Sequence, residues 1–328
     1  MRLTSFCLEN LLRLVLLLAA ASVITFALVS AAPIDPVQAY AGPENKLSPE
    51  QLALIAERWG FDKPAPERYL MWITSLLQGD GGISVIFQRP VTEVLAERAS
   101  ASLLLMATSW ILSGVLGFVS GIVCGLKPGS LADKLIKAVC VVLAAAPTFW
   151  IGLLALSIFS VALGWFPMGH AAPVGLTLDE VTIGQRLHHL FLPALVLSVS
   201  GIANITLQTR EKTIEIMQSD PVVFAIARGE SKFQIIRRHL LRHIALPAVT
   251  LQFASISELF GGSVLAEQVF SYPGLGNATV NAALNVDVPL LLAIAMVSAL
   301  FVFGGNLAAN IFYGVIDPRI KRGYDSHD

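Results

Sequence analysis

Six stretches of about 20 apolar residues constrain this chain more than any other feature of its sequence. A run of that length crosses the hydrocarbon core of a bilayer as an α-helix. The predicted spans are 11–31, 102–126, 136–160, 190–209, 245–266 and 290–314. The composition agrees, because 55% of the 328 residues are hydrophobic and only 14% are charged, more apolar than an ordinary soluble domain. We therefore predict an all-α, polytopic membrane protein with six transmembrane helices.

Lysine and arginine are distributed unevenly among the connecting segments. The loop around 161–189 contains only Arg186, and the loop around 267–289 contains neither residue type. The segments after the second and fourth spans and the tail are basic, with Lys127, Lys134, Lys137, Arg210, Lys212, Arg228, Lys232, Arg237, Arg238, Arg242, Arg319, Lys321 and Arg322. Because basic residues stay on the cytoplasmic side of short loops, we predict that both termini face the cytoplasm.

The first apolar stretch is predicted to be an uncleaved anchor. A cleaved signal peptide is the alternative, since Arg2 precedes the stretch and the sequence Ser30-Ala31-Ala32 resembles a cleavage site. The apolar run is longer than the 7–15 residues usual for a signal peptide, which favours the anchor. The predicted organisation is an N-terminus with first helix (1–32), an extracytoplasmic segment (33–101), a transmembrane domain (102–316) and a cytoplasmic tail (317–328).

The extracytoplasmic segment has signals for two short helices. Ser48, Pro49 and Gln51 form the pattern of an N-cap, a first-turn proline and a capping box, and Gly60 is a plausible stop. A second helix is predicted from about Glu67 to Gln78. The segment either covers the outer mouth of the protein or acts as a spacer between the first two spans.

The cytoplasmic segment 220–242 combines charged and aliphatic residues. Asp220 and Pro221 predict a helix start, and Gly229 predicts an interruption. Beyond it, an apolar face is predicted from spacings of three and four residues, at Phe233, Ile236, Leu240 and Ile244. The cations suit an interfacial helix on anionic lipid, whereas the small residues before Gly229 suit docking into a groove of another protein.

The second interpretation gains support from a specific pattern. Ala225-x-Ala227-x-Gly229, with His239 ten residues later and Pro247 eight beyond it, resembles the cytoplasmic coupling loop of ABC importer permeases of the dipeptide/oligopeptide/nickel branch. The chain departs from the usual pattern of that branch at Ile226 and His243. Three further segments are similar to family motifs, namely Gly79–Val91 (GDGGISVIFQRPV), Ser271–Gly276 (SYPGLG) and Asp317–Ile320 (DPRI).

The resemblance implies a permease subunit of an ATP-driven importer that works by alternating access. In that family the coupling loop fits a cleft on an ATPase subunit, which assigns this role to Pro221, Ala225, Ala227, Gly229, Glu230, His239 and Pro247. Tyr272, Pro273, Gly274 and Gly276 would form a structural turn. The cargo would be peptides or nickel and other metal chelates, with a slight lean to nickel from the segments FQRPV and SELFGG.

The same resemblance implies the partners and the location. The chain contains no G-x-x-x-x-G-K-[ST] phosphate loop, so we predict a transport subunit rather than an enzyme, with no cofactor of its own. Two ATPase subunits would bind ATP and Mg²⁺. A second, homologous permease, an external substrate-binding protein and membrane lipid complete the expected partners, without nucleic acid. The expected location is a bacterial or archaeal inner membrane.

Glu258 is the clearest candidate for the transport pathway. An ionisable residue within a span is costly and is often functional, and Gly261 and Gly262 follow one turn later, where small residues allow close helix approach. The alternative role of Glu258 is in packing between two permeases. Two other functional classes remain open, an ion-coupled secondary transporter using Glu258 and a membrane scaffold without transport. The histidines of the outer loops, His170, His188 and His189, form no recognisable metal site.

Overall fold

The computed structural model describes residues 3–31, 48–51, 53–54, 63–173, 175–176 and 180–316. The described part is helical, as predicted, with one isolated antiparallel bridge between Ile83 and Pro90. The helices in chain order are α1 (Leu3–Ala31), α2 (Ala65–Leu77), α3 (Val91–Leu126), α4 (Leu131–Ala145), α5 (Thr148–Ala155), α6 (Ile183–Met217), α7 (Asp220–Ala227), α8 (Lys232–Ile235), α9 (Leu241–Ala254), α10 (Ile256–Val269), α11 (Leu275–Leu284) and α12 (Val288–Ile316). Two π-helical stretches, Leu156–Ala162 and Ile236–Leu240, follow α5 and α8.

Four of these helices are long and apolar enough to cross a membrane: α1, α3, α6 and α12. The count rises to six when two bent helix pairs are each taken as one span. The fold class is therefore confirmed, and the third and fifth predicted spans are broken rather than straight.

The third span changes direction by 114° between α4 and the segment 148–162. The break falls at Pro147, which has no N–H to donate within a helix. Ala146 takes the extended conformation (φ −83°, ψ 138°), as expected for a residue that precedes proline. The fifth span bends by 51° at Ser255, between α9 and α10.

Contacts divide the chain into two compact units, residues 1–102 with 273–303 and residues 103–272 with 304–328. In the first unit, the start of α3 packs with α11 and α12 around Val91, Leu275 and Leu290. Asp287 precedes α12 and is fully buried. Its carboxylate accepts hydrogen bonds from the Ser84 hydroxyl (2.5 Å), the Ile86 N–H (3.1 Å) and the Leu290 N–H (3.2 Å). These bonds attach the Gly79–Val91 segment to the start of α12.

The second unit is built on close packing of α3 against α6. An added Cβ at Gly117, Gly121 or Gly125 would lie 2.8, 2.5 or 2.4 Å from the Cβ atom of Ile205, Thr209 or Thr213, in that order. The three glycines are four residues apart, so they lie on one face of α3. The contact resembles the small-residue packing typical of membrane helices.

The predicted extracytoplasmic helices lie partly within the described residues. Ser48 and Gln51 form the expected capping box, with reciprocal distances of 2.9 and 3.3 Å. Helix α2 covers Ala65–Leu77, close to the predicted range, and its Tyr69 hydroxyl lies 2.9 Å from the Ser22 hydroxyl of α1. The predicted stop at Gly60, the DPRI segment and the tail 317–328 lie outside the described residues.

Candidate functional site

The predicted coupling loop begins with α7 and turns sharply at Gly229. The N-cap position is Ser219 rather than Asp220, and Pro221 lies in the first turn. Gly229 has φ +81°. Its N–H donates to the Ile226 carbonyl (2.9 Å), and the next N–H donates to the Ala225 carbonyl (3.1 Å). This pair of bonds is a Schellman motif, which requires the left-handed conformation that glycine adopts most easily.

Glu230 connects the two sides of this turn. Its carboxylate accepts a bond from Arg228 (2.9 Å) before the glycine and lies 3.3 Å from His239 beyond it. Ser231 then caps the following helix through a capping box with Gln234. Two of the predicted coupling residues, Glu230 and His239, are thus brought into contact by the fold.

The two alanines of the pattern have different environments. Ala225 is fully buried with Val222 against Ile235, whereas Ala227 is exposed. An exposed apolar surface remains on the other side of α7, which we call the coupling face: Val223, Phe224, Ile226 and Ala227. Ala225 therefore supports the helix from inside, while the coupling face is open for contact with another protein.

The π-helical stretch Ile236–Leu240 changes the predicted apolar face. Of the residues predicted on that face, Leu240 and Ile244 are buried as predicted, Ile236 is half-buried and Phe233 is exposed, while Ile235 is buried in addition. The expectation for Phe233 is therefore wrong. A π-bulge makes one turn wider than an α-turn, so the buried positions are five and then four residues apart.

A cleft of about 380 Å³ lies between the end of α6, the start of α7 and the first two turns of α9 with the preceding His239. Pro221, His239 and Pro247 from the predicted set all contribute to its walls. The remaining polar lining includes Lys212, Glu215 and His243, the last being a position where the chain departs from the family pattern. Three residues of the pattern that are far apart in the sequence, Pro221, His239 and Pro247, thus line the same cleft.

Glu258 lies in the first turn of α10, directly after the bend at Ser255. Its side chain is exposed and has no hydrogen bond or ion pair to the residues that the structure describes. The neighbouring Ser257 hydroxyl contacts the Asn306 amide oxygen of α12 at 2.6 Å. Gly261 shares the open side of Glu258, with no atom within 4 Å of an added Cβ. Gly262 packs instead on α6, where an added Cβ would lie 3.0 Å from Leu197 Cδ1.

The SYPGLG segment forms a buried turn. Tyr272 is buried and donates its N–H to the Glu267 carbonyl (2.8 Å). Burial, followed by the nearby negative charge of Glu267, raises the pKa of Tyr272 to about 12. Gly274 and Gly276 are buried at the start of α11, and Pro273 is half-buried.

The outer histidines contact backbone oxygens. His188 Nε2 lies 2.7 Å from the Trp165 carbonyl, and His189 Nδ1 lies 3.0 Å from the Gly169 carbonyl. Those nitrogens must carry the proton, since a carbonyl can only accept. Within the described residues, no group of three His, Cys, Asp or Glu side chains could hold a metal ion.

Comparison with known protein families decides the identity of this architecture. Residues 117–322 match the family described as binding-protein-dependent transport system inner membrane component, and residues 3–90 match its N-terminal counterpart. The chain belongs to this family of ABC importer permeases. Together the two matched regions include every predicted site residue, from the coupling loop to the turn at Tyr272.

Relatives of this permease belong to the peptide branch. It is 35% identical to the oligopeptide transport system permease protein AppB of Bacillus subtilis, over 92% of this chain and 94% of the relative. It is 31% identical to the di/tripeptide transport system permease protein DppB of Pseudomonas aeruginosa (92% and 94%). The glutathione transport system permease protein GsiC of Salmonella paratyphi A is also 31% identical (97% and 99%).

A solved structure supports the fold of the permease. The MetNI methionine ABC transporter, in inward-facing conformations, has a chain that matches with a TM-score of 0.55 and 14% identity. The match covers 69% of this chain and 97% of that one. At this identity the likeness concerns the fold alone.

These findings decide among the sequence-based interpretations of the permease. It is a multi-pass inner-membrane transport component, and its relatives are transport subunits, which does not favour the secondary-transporter or scaffold alternatives. The lean towards nickel finds no support, because the relatives described above are named for peptides and glutathione.

Two structural features of the permease were missed by the sequence interpretation. The first is the glycine series Gly117, Gly121 and Gly125, whose G-x-x-x-G spacing could have predicted the packing of α3. The second is a buried ion pair between Asp133 of α4 and Arg210 of α6, with distances of 2.5 and 2.9 Å. Its partners are 77 residues apart, and no local pattern indicates such a pair.

Proposed function

We propose that this permease is one of two homologous membrane subunits of an ATP-driven peptide importer. The names of the relatives described above support peptides as the cargo class. Two ATPase subunits would bind ATP and Mg²⁺, and an external binding protein would deliver the substrate. A nickel chelate in place of a peptide is the competing cargo. Uptake of a labelled tripeptide or of nickel by the assembled transporter distinguishes the two.

The coupling face carries this proposal. Four apolar residues are exposed on an eight-residue helix that is fixed at its end by the Gly229 turn and the Glu230 contacts. The interior of this helix, through Ala225, packs on Ile235, so a push on its outer surface reaches the segment that continues into the fifth span. Phe224 is the largest side chain of the coupling face, and we assign it as the anchor for the ATPase.

The test of this assignment compares two serine substitutions. Phe224 is 70% exposed, and Leu131, on the predicted cytoplasmic side but outside segment 220–242, is 73% exposed. Burying a phenylalanine contributes about 1.5–3 kcal/mol. Since about 1.4 kcal/mol corresponds to a tenfold change in affinity, Phe224→Ser should weaken binding of the ATPase to the permease by roughly 10- to 150-fold. Leu131→Ser is the matched control and should leave binding intact.

The readouts are affinity for the ATPase and ATP-driven peptide uptake by the complete transporter. If the two variants have the same affinity for the ATPase and the same uptake, Phe224 is not part of the interface with the ATPase. A bulky residue at Gly229, such as Gly229→Leu, should also stop uptake because it opposes the left-handed turn. Unimpaired uptake in that variant would contradict the role of the turn.

The orientation and organisation follow the charge distribution. We assign both termini and segment 220–242 to the cytoplasm, residues 33–101 to the outer side, and residues 102–316 to the transmembrane domain. Glu258 and Gly261 are assigned to the wall of the substrate pathway. Labelling of single cysteines with a membrane-impermeant reagent, from each side, tests the orientation.

A further inference from the structure

Four exposed basic side chains follow the Gly229 turn: Lys232, Arg237, Arg238 and Arg242. None of them has an ion pair or a hydrogen bond within the described part of the chain. Arg228, by contrast, bonds Glu230 at 2.9 Å. An exposed charge beside a membrane is stabilised by water or by a charge of opposite sign, so the depth of these side chains determines which of the two they meet.

Buried contacts fix the depth at which this segment begins. Ile235 is buried in a cluster against which Ile216 and Met217, at the end of α6, are packed. The predicted span of α6 ends at residue 209, seven residues before Ile216. With α6 along the membrane normal and a rise of 1.5 Å per residue, Ile235 lies about 11 Å outside the hydrocarbon core.

The chain that follows Ile235 returns towards the membrane and continues into the fifth span. Arg242 is seven residues further on, so it lies close to the edge of the hydrocarbon core, and Arg238 lies about 6 Å outside that edge. The polar layer of a bilayer is roughly 5–8 Å thick on each side. Arg238 and Arg242 are four residues apart, hence on one side of the helix, and both lie at headgroup level. Lys232 precedes Ile235, and the same rise places it about 16 Å from the core, beyond that layer.

A second helix presents a basic side chain at the same level. Asp133 of α4 bonds Arg210, the first residue beyond the predicted span of α6. Lys134 follows Asp133, is exposed, and forms no ion pair with any residue in the described ranges. Basic residues of two separate helices, Lys134 of α4 and Arg242 of α9, thus reach the same edge of the hydrocarbon core.

The chemistry and the depth of the two arginines favour a lipid over a protein partner. A guanidinium group binds phosphate through two parallel N–H bonds, and basic residues next to a span attract anionic lipid. The coupling face belongs to α7, which begins beyond the end of α6 and therefore lies further from the membrane than Arg238 and Arg242. An ATPase docked on the coupling face leaves the two arginines on its membrane side.

We propose that Arg238 and Arg242 bind the phosphate of an anionic phospholipid headgroup. In the proposed orientation this lipid belongs to the cytoplasmic leaflet. The site goes beyond the proposed function, because it depends neither on the cargo nor on the ATPase. Segment 220–242 then has two partners, an ATPase on the coupling face and a lipid on the arginines.

The test is a lipid titration of the purified full chain, followed by native mass spectrometry. The probes are dioleoyl phosphatidylglycerol, which is anionic, and dioleoyl phosphatidylcholine, which has the same acyl chains and no net charge. One basic residue near the headgroups changes the binding of anionic lipid by roughly fivefold. The double variant Arg238→Gln with Arg242→Gln should therefore bind the first phosphatidylglycerol about 5- to 25-fold more weakly than the wild type, with the affinity for phosphatidylcholine unchanged.

Lys232→Gln is the matched control, since Lys232 is also exposed and basic and precedes the same helical segment, but lies beyond the headgroup layer. It should keep the wild-type affinity for phosphatidylglycerol. The double variant Arg238→Lys with Arg242→Lys retains both charges and should keep most of the preference for the anionic lipid. An unchanged affinity in the double glutamine variant, or an equal loss in Lys232→Gln, overturns the lipid site.

Binding of the ATPase to the permease in nanodiscs of phosphatidylcholine alone separates the lipid from the protein partner. In that bilayer the double glutamine variant should bind the ATPase as tightly as the wild type. Weaker binding would assign Arg238 and Arg242 to the ATPase and overturn the lipid site. If the wild type itself binds no ATPase, the proposed function fails, whereas the lipid titration of the chain alone still decides the lipid site.

Discussion

Replacing Arg210 with alanine should destabilise the permease more than any other single charge deletion that we describe. The Asp133 side chain is only 2% exposed and that of Arg210 is 13% exposed. The guanidinium donates two bonds to the carboxylate, at 2.5 and 2.9 Å. Once they are lost, only the Gly129 N–H at 2.8 Å still donates to Asp133.

The expected cost follows from the unpaired charge that remains. Removing one partner of a buried ion pair costs about 3–5 kcal/mol. Because Arg210 is reached by some water, we expect the lower end, about 3 kcal/mol, or roughly a 150-fold shift in the unfolding equilibrium. The double variant Asp133→Ala with Arg210→Ala should lose less than Arg210→Ala alone, since no buried charge is left behind.

The measurement is unfolding of the purified chain by SDS in mixed micelles. Arg89→Ala is the control, because Arg89 also bonds a carboxylate at 2.8 Å, that of Glu97, but the two side chains are 47% and 37% exposed. Exposed pairs contribute little, so this variant should unfold like the wild type. If both arginine variants unfold at the same SDS fraction, burial does not increase the contribution of the Asp133–Arg210 pair to stability.

Three further predictions concern packing, titration and the outer segment. Gly125→Ala places a Cβ 2.4 Å from Thr213 Cβ and should cost about 1–3 kcal/mol in the same SDS assay, whereas Gly304→Ala, with nothing within 4 Å, should not. In an alkaline absorbance titration, one of the five tyrosines should ionise near pH 12, and Tyr272→Phe should remove it. Because the pKa of Tyr272 is raised in the folded state, folding favours its neutral form. The stability that Tyr272 contributes is complete below about pH 10 and is lost as the pH rises through 12. Asp287→Asn replaces one carboxylate oxygen with an N–H₂ group, so either Ser84 and Ile86 or Leu290 loses its acceptor. Amide hydrogen exchange at Ile86 or at Leu290 should become faster, and unchanged exchange at both would contradict the anchoring role.

Several features of the permease could be predicted from the sequence because they depend on neighbouring residues. The apolar runs located the membrane helices, and Ser48 with Gln51 formed the expected capping box. Gly229 predicted an interruption, and the preceding helix ends there in a left-handed turn. In the capping box and the glycine turn, the hydrogen bonds join residues that are three to five positions apart.

Other features could not be predicted, since they depend on register between distant helices. The wide turn at 236–240 exposes Phe233 and buries Ile235, and no spacing in the sequence indicates it. The burial of Ala225 depends on a helix that begins after the glycine turn.

By itself, the sequence determined the membrane class, the charged segment 220–242 and the motifs of the importer family, through local hydrophobicity and turn chemistry. Only the tertiary structure decided which side chains remain without partners. Glu258 is exposed, whereas Gly262, one turn further on, packs on Leu197. Asp133 and Arg210, 77 residues apart, are paired away from solvent. The physical reason is that burial and pairing depend on two helix surfaces in contact. A single chain segment specifies only one of those two surfaces.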